Sequence, residues 1–220
     1  MDLEPFVFRQ AGRLVAARAV TAEDRPEDRA AAVNHYALRA LDPAEYAVFT
    51  LDLCNNQIDR HFSRFPGEEL ARINDLVPGR PLMERHDLRG SLPRGRFFRS
   101  ALHRDGDVVS VRPEVYVLRT EENADFILNI EGGVYRETSI GFSFRTPECS
   151  VCGKDLRTCD HMPGRPYAGE TCHFIMREVL EVAEGSVVSA GSQGTGFVRE
   201  GRGLPAAEAL DLGRALWARE

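Results

Sequence analysis

A cluster of cysteine and histidine residues constrains the fold of this chain more than any other feature of its sequence. Four of the five cysteines lie between positions 149 and 172. The surrounding segment, 147–173, is rich in glycine, proline and polar residues and cannot build a hydrophobic core of its own. Bound zinc contributes on the order of 10 kcal/mol to the folding of such small sites. The sequence therefore predicts a zinc-binding insert at 147–173.

The spacing of these side chains indicates which of them bind the metal. A C-x2-C turn brings two thiolates to one tetrahedral ion, and a second pair completes the site from across a loop. Three thiolates and one imidazole with no open position are typical of structural zinc. Cys172 is a fifth candidate, and the spacing leaves open whether it replaces Cys159 or His161. The predicted ligands are Cys149, Cys152, Cys159 and His161.

The charge balance bears on the class of partner. The chain has 28 basic and 34 acidic residues, for a formal net charge of −6. A general nucleic-acid surface needs a basic excess to release phosphate counterions, so nucleic acid is a disfavoured partner. There is no apolar run of about 20 residues that could span a bilayer, and the N-terminus lacks the order of a signal peptide. We therefore expect no membrane association and a reducing cytoplasm.

The distribution of strand-like and helix-like segments predicts one main domain. Residues 1–45 are rich in Ala, Arg, Glu and Asp and predict a partly helical lead-in to a domain at 46–200. Many short strands with a few interspersed helices favour an α+β fold with a mixed or antiparallel β-barrel-like core, flanking helices and the small zinc-binding insert. We expect strands at 46–53, 95–102, 108–118, 135–144, 173–182 and 186–190, and helices at 66–76, 122–132 and, within the C-terminal segment 201–220, at 205–219.

A serine and a histidine are the candidate catalytic pair. A serine hydroxyl is a poor nucleophile near neutral pH and needs a base, for which histidine is well suited. A third group must fix the imidazole tautomer and stabilise the imidazolium. His86 lies in a polar, turn-rich segment, and Ser139 lies in a predicted strand two residues before Gly141. From the residues alone, an ordinary strand serine and a surface histidine are the simpler interpretation.

The segment Thr138–Phe144, with the sequence TSIGFSF, resembles the nucleophile strand of the phage prohead proteases, which are relatives of herpesvirus assemblin. In that family the serine of an S-[IF]-G-F strand is the nucleophile, a role that falls here on Ser139. The family's histidine, followed by a short loop and Pro-x-Gly-Arg, is matched by His86 and Pro93–Arg96, although the loop here is a few residues longer. The resemblance covers about 49–196.

The same resemblance supplies a third member of the triad. The segment AEGSVV is similar to the family's E-x-S-x-V strand, whose acid lies near the histidine, and this assigns the role to Glu184. The proline-containing ending usual in the family is absent here. Glu181 is the alternative acid, and because side chains alternate along a strand, only one of the two carboxylates is expected to face His86.

Other histidines and a nearby aspartate are rival members of the triad. In the assemblin relatives the third member is itself a histidine, so His61 and His103 stay open for that role and as alternative bases. Asp87 adjoins His86, but neighbours in an extended chain point to opposite sides, which makes it a poor orienting group.

The resemblance implies a prohead protease, a serine endopeptidase that cleaves the major capsid protein and scaffold protein during head maturation. It would act in the host cytoplasm, within the procapsid, and could form homo-oligomers. An extended peptide is expected to add to an exposed strand edge beside Ser139. The alternatives are a non-catalytic capsid-assembly or scaffold protein that retains the protease fold, and a zinc-knuckle nucleic-acid-binding module.

Overall fold

The structure, a computed structural model, describes residues 26–87 and 89–198 and the backbone of a strand at 6–12. The fold is α+β, with three helices and a mixed sheet among these residues. The helix expected at 205–219 lies outside the described residues. No helix within them is long and apolar enough to cross a bilayer. The strands are β1 (Phe6–Gly12), β2 (Tyr46–Thr50), β3 (Cys54–Asn55), β4 (Ser63–Arg64), β5 (Pro81–Glu84), β6 (Gly95–Asp105), β7 (Val108–Leu118), β8 (Glu137–Cys149), β9 (Pro166–Tyr167), β10 (Glu170–Thr171) and β11 (Phe174–Val188), and the helices are α1 (Pro26–Asn34), α2 (Gly67–Leu76) and α3 (Glu121–Glu131).

The main sheet is open. Its strands run in the order β1-β8-β11-β5-β6-β7-β2, with β3 beside β7 and β4 beside β11. β11 pairs in parallel with β4 and β5 and antiparallel with β8, so the sheet is mixed. The prediction of a barrel-like core is wrong, because the two end strands pair with β8 and β7 and do not join each other within the described residues.

One long strand, β11, replaces the two strands expected at 173–182 and 186–190. Gly185, which lies between those two segments, continues the strand and pairs with Ile140 of β8. A Cβ atom built on Gly185 would lie 2.6 Å from the Phe97 ring. The glycine is therefore required for close packing of the strand on an aromatic side chain and not for a turn.

The segment 1–45 contains a strand as well as a helix. β1 pairs antiparallel with β8 over seven residues, from Phe6 opposite Phe144 to Gly12 opposite Thr138. The Ala, Arg, Asp and Glu content of the segment as a whole obscures the short β-prone sequence FVFRQAG. This strand was not predicted, and it occupies the edge of β8 that was expected to be exposed.

The alternation of side chains along β8 separates the core from the candidate site. Ile140, Phe142 and Phe144 are buried in the main hydrophobic core, where Phe65 packs against Phe142 with ring centroids 4.9 Å apart. Successive side chains in a strand point to opposite faces. Ser139 and the residues two and four positions beyond it therefore lie on the face away from this core.

Candidate functional site

Ser139 lies on β8 between two neighbouring strands. Its partner on β11 is Ser186, and its partner on β1 is Ala11. The Ser139 side chain is fully buried, at 0% exposure. A peptide carbonyl can therefore reach its hydroxyl only after a neighbouring element moves.

His86 reaches Ser139 from the end of β5. The preceding residue, Arg85, has a left-handed backbone with φ of 65°, a conformation that costs a non-glycine residue on the order of 1–3 kcal/mol. The Arg85 backbone N–H donates to the Val187 carbonyl at 2.9 Å, which ties this turn to β11. The turn aims the imidazole at β8, where His86 Nε2 is hydrogen bonded to Ser139 Oγ.

Glu184 completes a chain of three side chains. Its Oε1 lies 2.6 Å from His86 Nδ1, and the carboxylate is 1% exposed while the imidazole is 14% exposed. If Nδ1–H donates to Glu184, then Nε2 is free to accept the Ser139 proton, which is the tautomer that a general base requires. The structure thus brings Ser139, His86 and Glu184 together, and their catalytic roles stay predictions.

Gly141 makes room for this carboxylate. It lies opposite Glu184 across the β8–β11 pair. A Cβ atom at position 141 would overlap Glu184 Oε1 and would lie 3.0 Å from Cδ and 3.2 Å from Cγ of the same side chain. The sequence suggested that this glycine lets backbone or substrate approach. In the structure the approaching group is the Glu184 carboxylate.

Ser186 is a member of the candidate site that sequence reasoning missed. Its hydroxyl is fully buried, is hydrogen bonded to Glu184 Oε2, and lies 2.8 Å from the Arg85 carbonyl. Glu184 therefore has a partner for each oxygen. The spacing of two residues was an available signal, because residues i and i+2 of a strand share a face.

The rival acid Glu181 is excluded by its surroundings and not by alternation. Two register shifts, between Val179 and Glu181 and between Val182 and Glu184, insert irregularities into β11. Glu181 consequently pairs with Ser143 and Glu184 with Gly141, so both acids lie on the same face. The expectation that they point to opposite faces is wrong. The Glu181 side chain is 59% exposed and lies 3.7 Å from the Arg80 guanidinium.

The other rivals occupy different parts of the fold. Asp87 accepts a 2.7 Å hydrogen bond from the Gly90 backbone N–H and shapes the loop after the histidine. His61 has its Nε2 3.5 Å from Arg60 Nε. His103 lies on β6, which is separated from β8 by β5 and β11, and pairs there with Ser110.

The predicted metal ligands form a second cluster, at the far end of β8. The ligand atoms of Cys149, Cys152, Cys159 and His161 all lie within 4.8 Å of one another. Thiolates around one tetrahedral zinc, at about 2.3 Å from the ion, are separated by about 3.8 Å. Gly153 has φ of 69° and donates its N–H to the Cys149 carbonyl at 2.9 Å, which closes the turn. These four residues could hold a metal ion.

The hydrogen bonding of His161 and the pKa of Cys149 also fit a metal ion at this cluster. His161 Nδ1 is buried and has no hydrogen-bond partner among the described residues, as expected of a nitrogen that is available to a ligand. Burial opposes ionisation of the Cys149 thiol, but hydrogen bonds from the Cys152 and Val151 backbone N–H groups hold its pKa below the usual value. The residues fit a Cys3His zinc site with no open position.

Cys172 lies beside this cluster and is not part of it. Its Sγ is 4.0 Å from Cys149 Sγ, and the side chain is fully buried. Burial and the neighbouring Cys149 raise the pKa of the Cys172 thiol to about 11. Cys54, on β3, is a buried core residue.

Comparison with known proteins gave no relative. A scan against protein-family models found no match, and searches of curated proteins and of solved structures found no similar protein. What this chain does must therefore be inferred from the geometry of its two groups of side chains.

Proposed function

We propose that this chain is a serine endopeptidase of the phage prohead protease type. The observation that carries the proposal is the buried chain of hydrogen bonds from Ser139 through His86 to Glu184. Nucleophile, base and orienting acid come from three different elements, and such a contact set is the arrangement that acyl transfer requires.

Each residue has a defined part in the reaction. His86 Nε2 takes the Ser139 proton as Oγ bonds to the peptide carbonyl carbon, and Glu184 stabilises the imidazolium that forms. The imidazolium then gives the proton to the leaving amine as the C–N bond breaks. A water, deprotonated by His86, releases the acyl group and restores the serine.

The zinc has a structural role in this proposal. Cys149 is the last residue of β8 and pairs with Phe174, the first residue of β11. Cys149 is ten residue positions beyond Ser139 on β8, roughly 33 Å at about 3.3 Å per residue. A metal at the cluster would tie the end of β8 to the insert that leads on to β11, and it would lie too far from Ser139 for a direct part in the chemistry.

The substrates we propose are capsid and scaffold proteins inside a procapsid, with the family resemblance as the support. Confinement raises the local concentration of these chains, so that a site with weak peptide affinity suffices. A nucleic-acid-binding role has little support. The net charge is −6, and two of the arginines between positions 80 and 99 are paired with acids, Arg94 with Glu84 and Arg99 with Glu114.

One observation favours a second candidate, a non-catalytic assembly protein that retains the protease fold. Ser139 exposes no surface, so the structure as it stands offers no path for a substrate. A fluorophosphonate probe distinguishes the two candidates, because it bonds covalently only to an activated serine hydroxyl.

The test is labelling of the full chain followed by mass spectrometry of its peptides, together with co-expression with capsid and scaffold proteins. We expect a label on Ser139, its loss in Ser139→Ala and His86→Ala, and trimmed capsid or scaffold chains. Ser143→Ala is the matched control, since Ser143 is a half-buried serine of the same strand. Full-length capsid chains together with an unlabelled Ser139 would support the non-catalytic assembly protein instead.

A further inference from the structure

The edge of β8 beside Ser139 is already occupied by a strand of the same chain. β1 pairs with β8 in an unbroken antiparallel register that places Ala11 opposite Ser139 and Gly12 opposite Thr138. An added peptide gains affinity from main-chain hydrogen bonds to a free strand edge. As long as β1 is in place, no such edge is available at the serine.

We propose that β1 occupies the substrate-binding edge of β8, and that an extended segment of the substrate replaces β1 when the enzyme becomes active. The inference rests on the proposed function and defines how that site takes its substrate. The free chain is then latent, and strand exchange is the step that opens the site.

The position of β1 in the sheet makes it the replaceable neighbour of Ser139. On one side of β8, β11 pairs with β8, β5 and β4, so its departure would dismantle the sheet. On the other side, β1 is the end strand and pairs with β8 alone within the described residues. Release of β1 therefore breaks one ladder and leaves the rest of the sheet intact.

The burial of the serine gives the second, independent observation. Ser139, Glu184 and Ser186 are at most 1% exposed, yet they lie on the face away from the main core. Polar groups assembled for catalysis and closed to solvent indicate a site that must open. An extended peptide suits the vacated edge, because it restores the same backbone hydrogen bonds that β1 makes.

A disulfide that locks β1 to β8 tests this in the full chain. Val7 is paired with Ser143, and the double variant Val7→Cys/Ser143→Cys would join the two strands when oxidised. The readout is the rate of fluorophosphonate labelling of Ser139, before and after dithiothreitol. The single variants and the unmodified chain, treated in the same way, control for the native cysteines.

We expect the oxidised double variant to label at least tenfold more slowly than its reduced form, while the controls are unaffected by reduction. A second full-chain variant, Phe8→Pro/Arg9→Pro, weakens β1 pairing because proline cannot donate to the ladder, and it should label faster than the unmodified chain. Equal labelling of the oxidised and reduced forms would overturn strand exchange and leave the proposed function standing. Absence of labelling in every form, the proline variant included, would overturn both.

Discussion

Replacement of Gly141 by alanine should greatly reduce catalysis while the chain still folds. The added methyl would overlap Glu184 Oε1 and crowd Cδ and Cγ, at 3.0 and 3.2 Å. A carbon atom needs about 3.5–4.0 Å to these neighbours, so the carboxylate must withdraw by about 1 Å. It would then lose its present 2.6 Å contact with His86 Nδ1.

The size of the effect follows from that displacement. A misplacement of about 1 Å in a catalytic group costs about 100-fold in rate, which corresponds to about 2.7 kcal/mol of activation free energy. Overpacking of a buried site costs about 1–3 kcal/mol of folding stability, so the variant should still fold. We expect kcat/KM for peptide cleavage, or the labelling rate of Ser139, to fall about 100-fold with a circular dichroism spectrum like that of the unmodified chain.

A double-mutant cycle tests the stated cause. In a Glu184→Ala background there is no carboxylate to displace, so Gly141→Ala should cause little further loss, and the two effects should be strongly non-additive. Full activity in the single variant, or additive losses in the double variant, would refute the explanation that Gly141 leaves the space that the Glu184 carboxylate occupies.

Three further predictions concern the proposed catalytic residues and the metal cluster. Glu184→Gln should lower kcat/KM by less than His86→Ala does, because it keeps a side chain beside the imidazole and removes chiefly its charge; an equal loss would contradict this order. Ser186→Ala frees Glu184 Oε2 of its hydroxyl partner, and we expect about a tenfold loss in kcat that Ser186→Thr partly restores; a thermal shift without any change in kcat would show a purely structural role. The purified chain should carry about one zinc, lost in Cys159→Ser and retained in Cys172→Ser, as measured by elemental analysis with Cys54→Ser as the control; zinc loss in Cys172→Ser would show that the ligand set is wrong.

The sequence was most informative where chemistry depends on residue type and spacing. The C-x2-C and C-x-H pattern predicted the members of the cluster at Cys149–His161, because a small polar insert has few other means of stabilisation. Likewise, α2 and the strands β6 and β7 follow from local hydrophobic periodicity. The chain of side chains from Ser139 to Glu184 could be anticipated only through a family resemblance, since a triad is a set of residues distant in sequence.

The features that could not be predicted from the sequence depend on how neighbouring strands pair and pack. A β-bulge leaves no reliable mark in composition, and the register shift before Glu184 is the reason that both acids lie on one face. The continuity of β11 through Gly185 was not predicted, because the packing partner of this glycine, the Phe97 ring, is distant in sequence. β1 was hidden by the composition of its surroundings, and with it the occupation of the β8 edge.

The construction of the site explains which of its parts can move. Ser139, Gly141, Glu184 and Ser186 all lie on β8 and β11, adjacent strands paired over most of their length, so the sheet fixes the distance between serine and acid. His86 alone comes from outside this pair, and its position depends on the left-handed turn at Arg85 and on bonds from that turn to β11. Ser139 and Glu184 are thus held rigidly on two sheet strands. If the proposed function and strand exchange are correct, the parts of the site free to move are β1, which pairs beside Ser139, and the turn that carries His86.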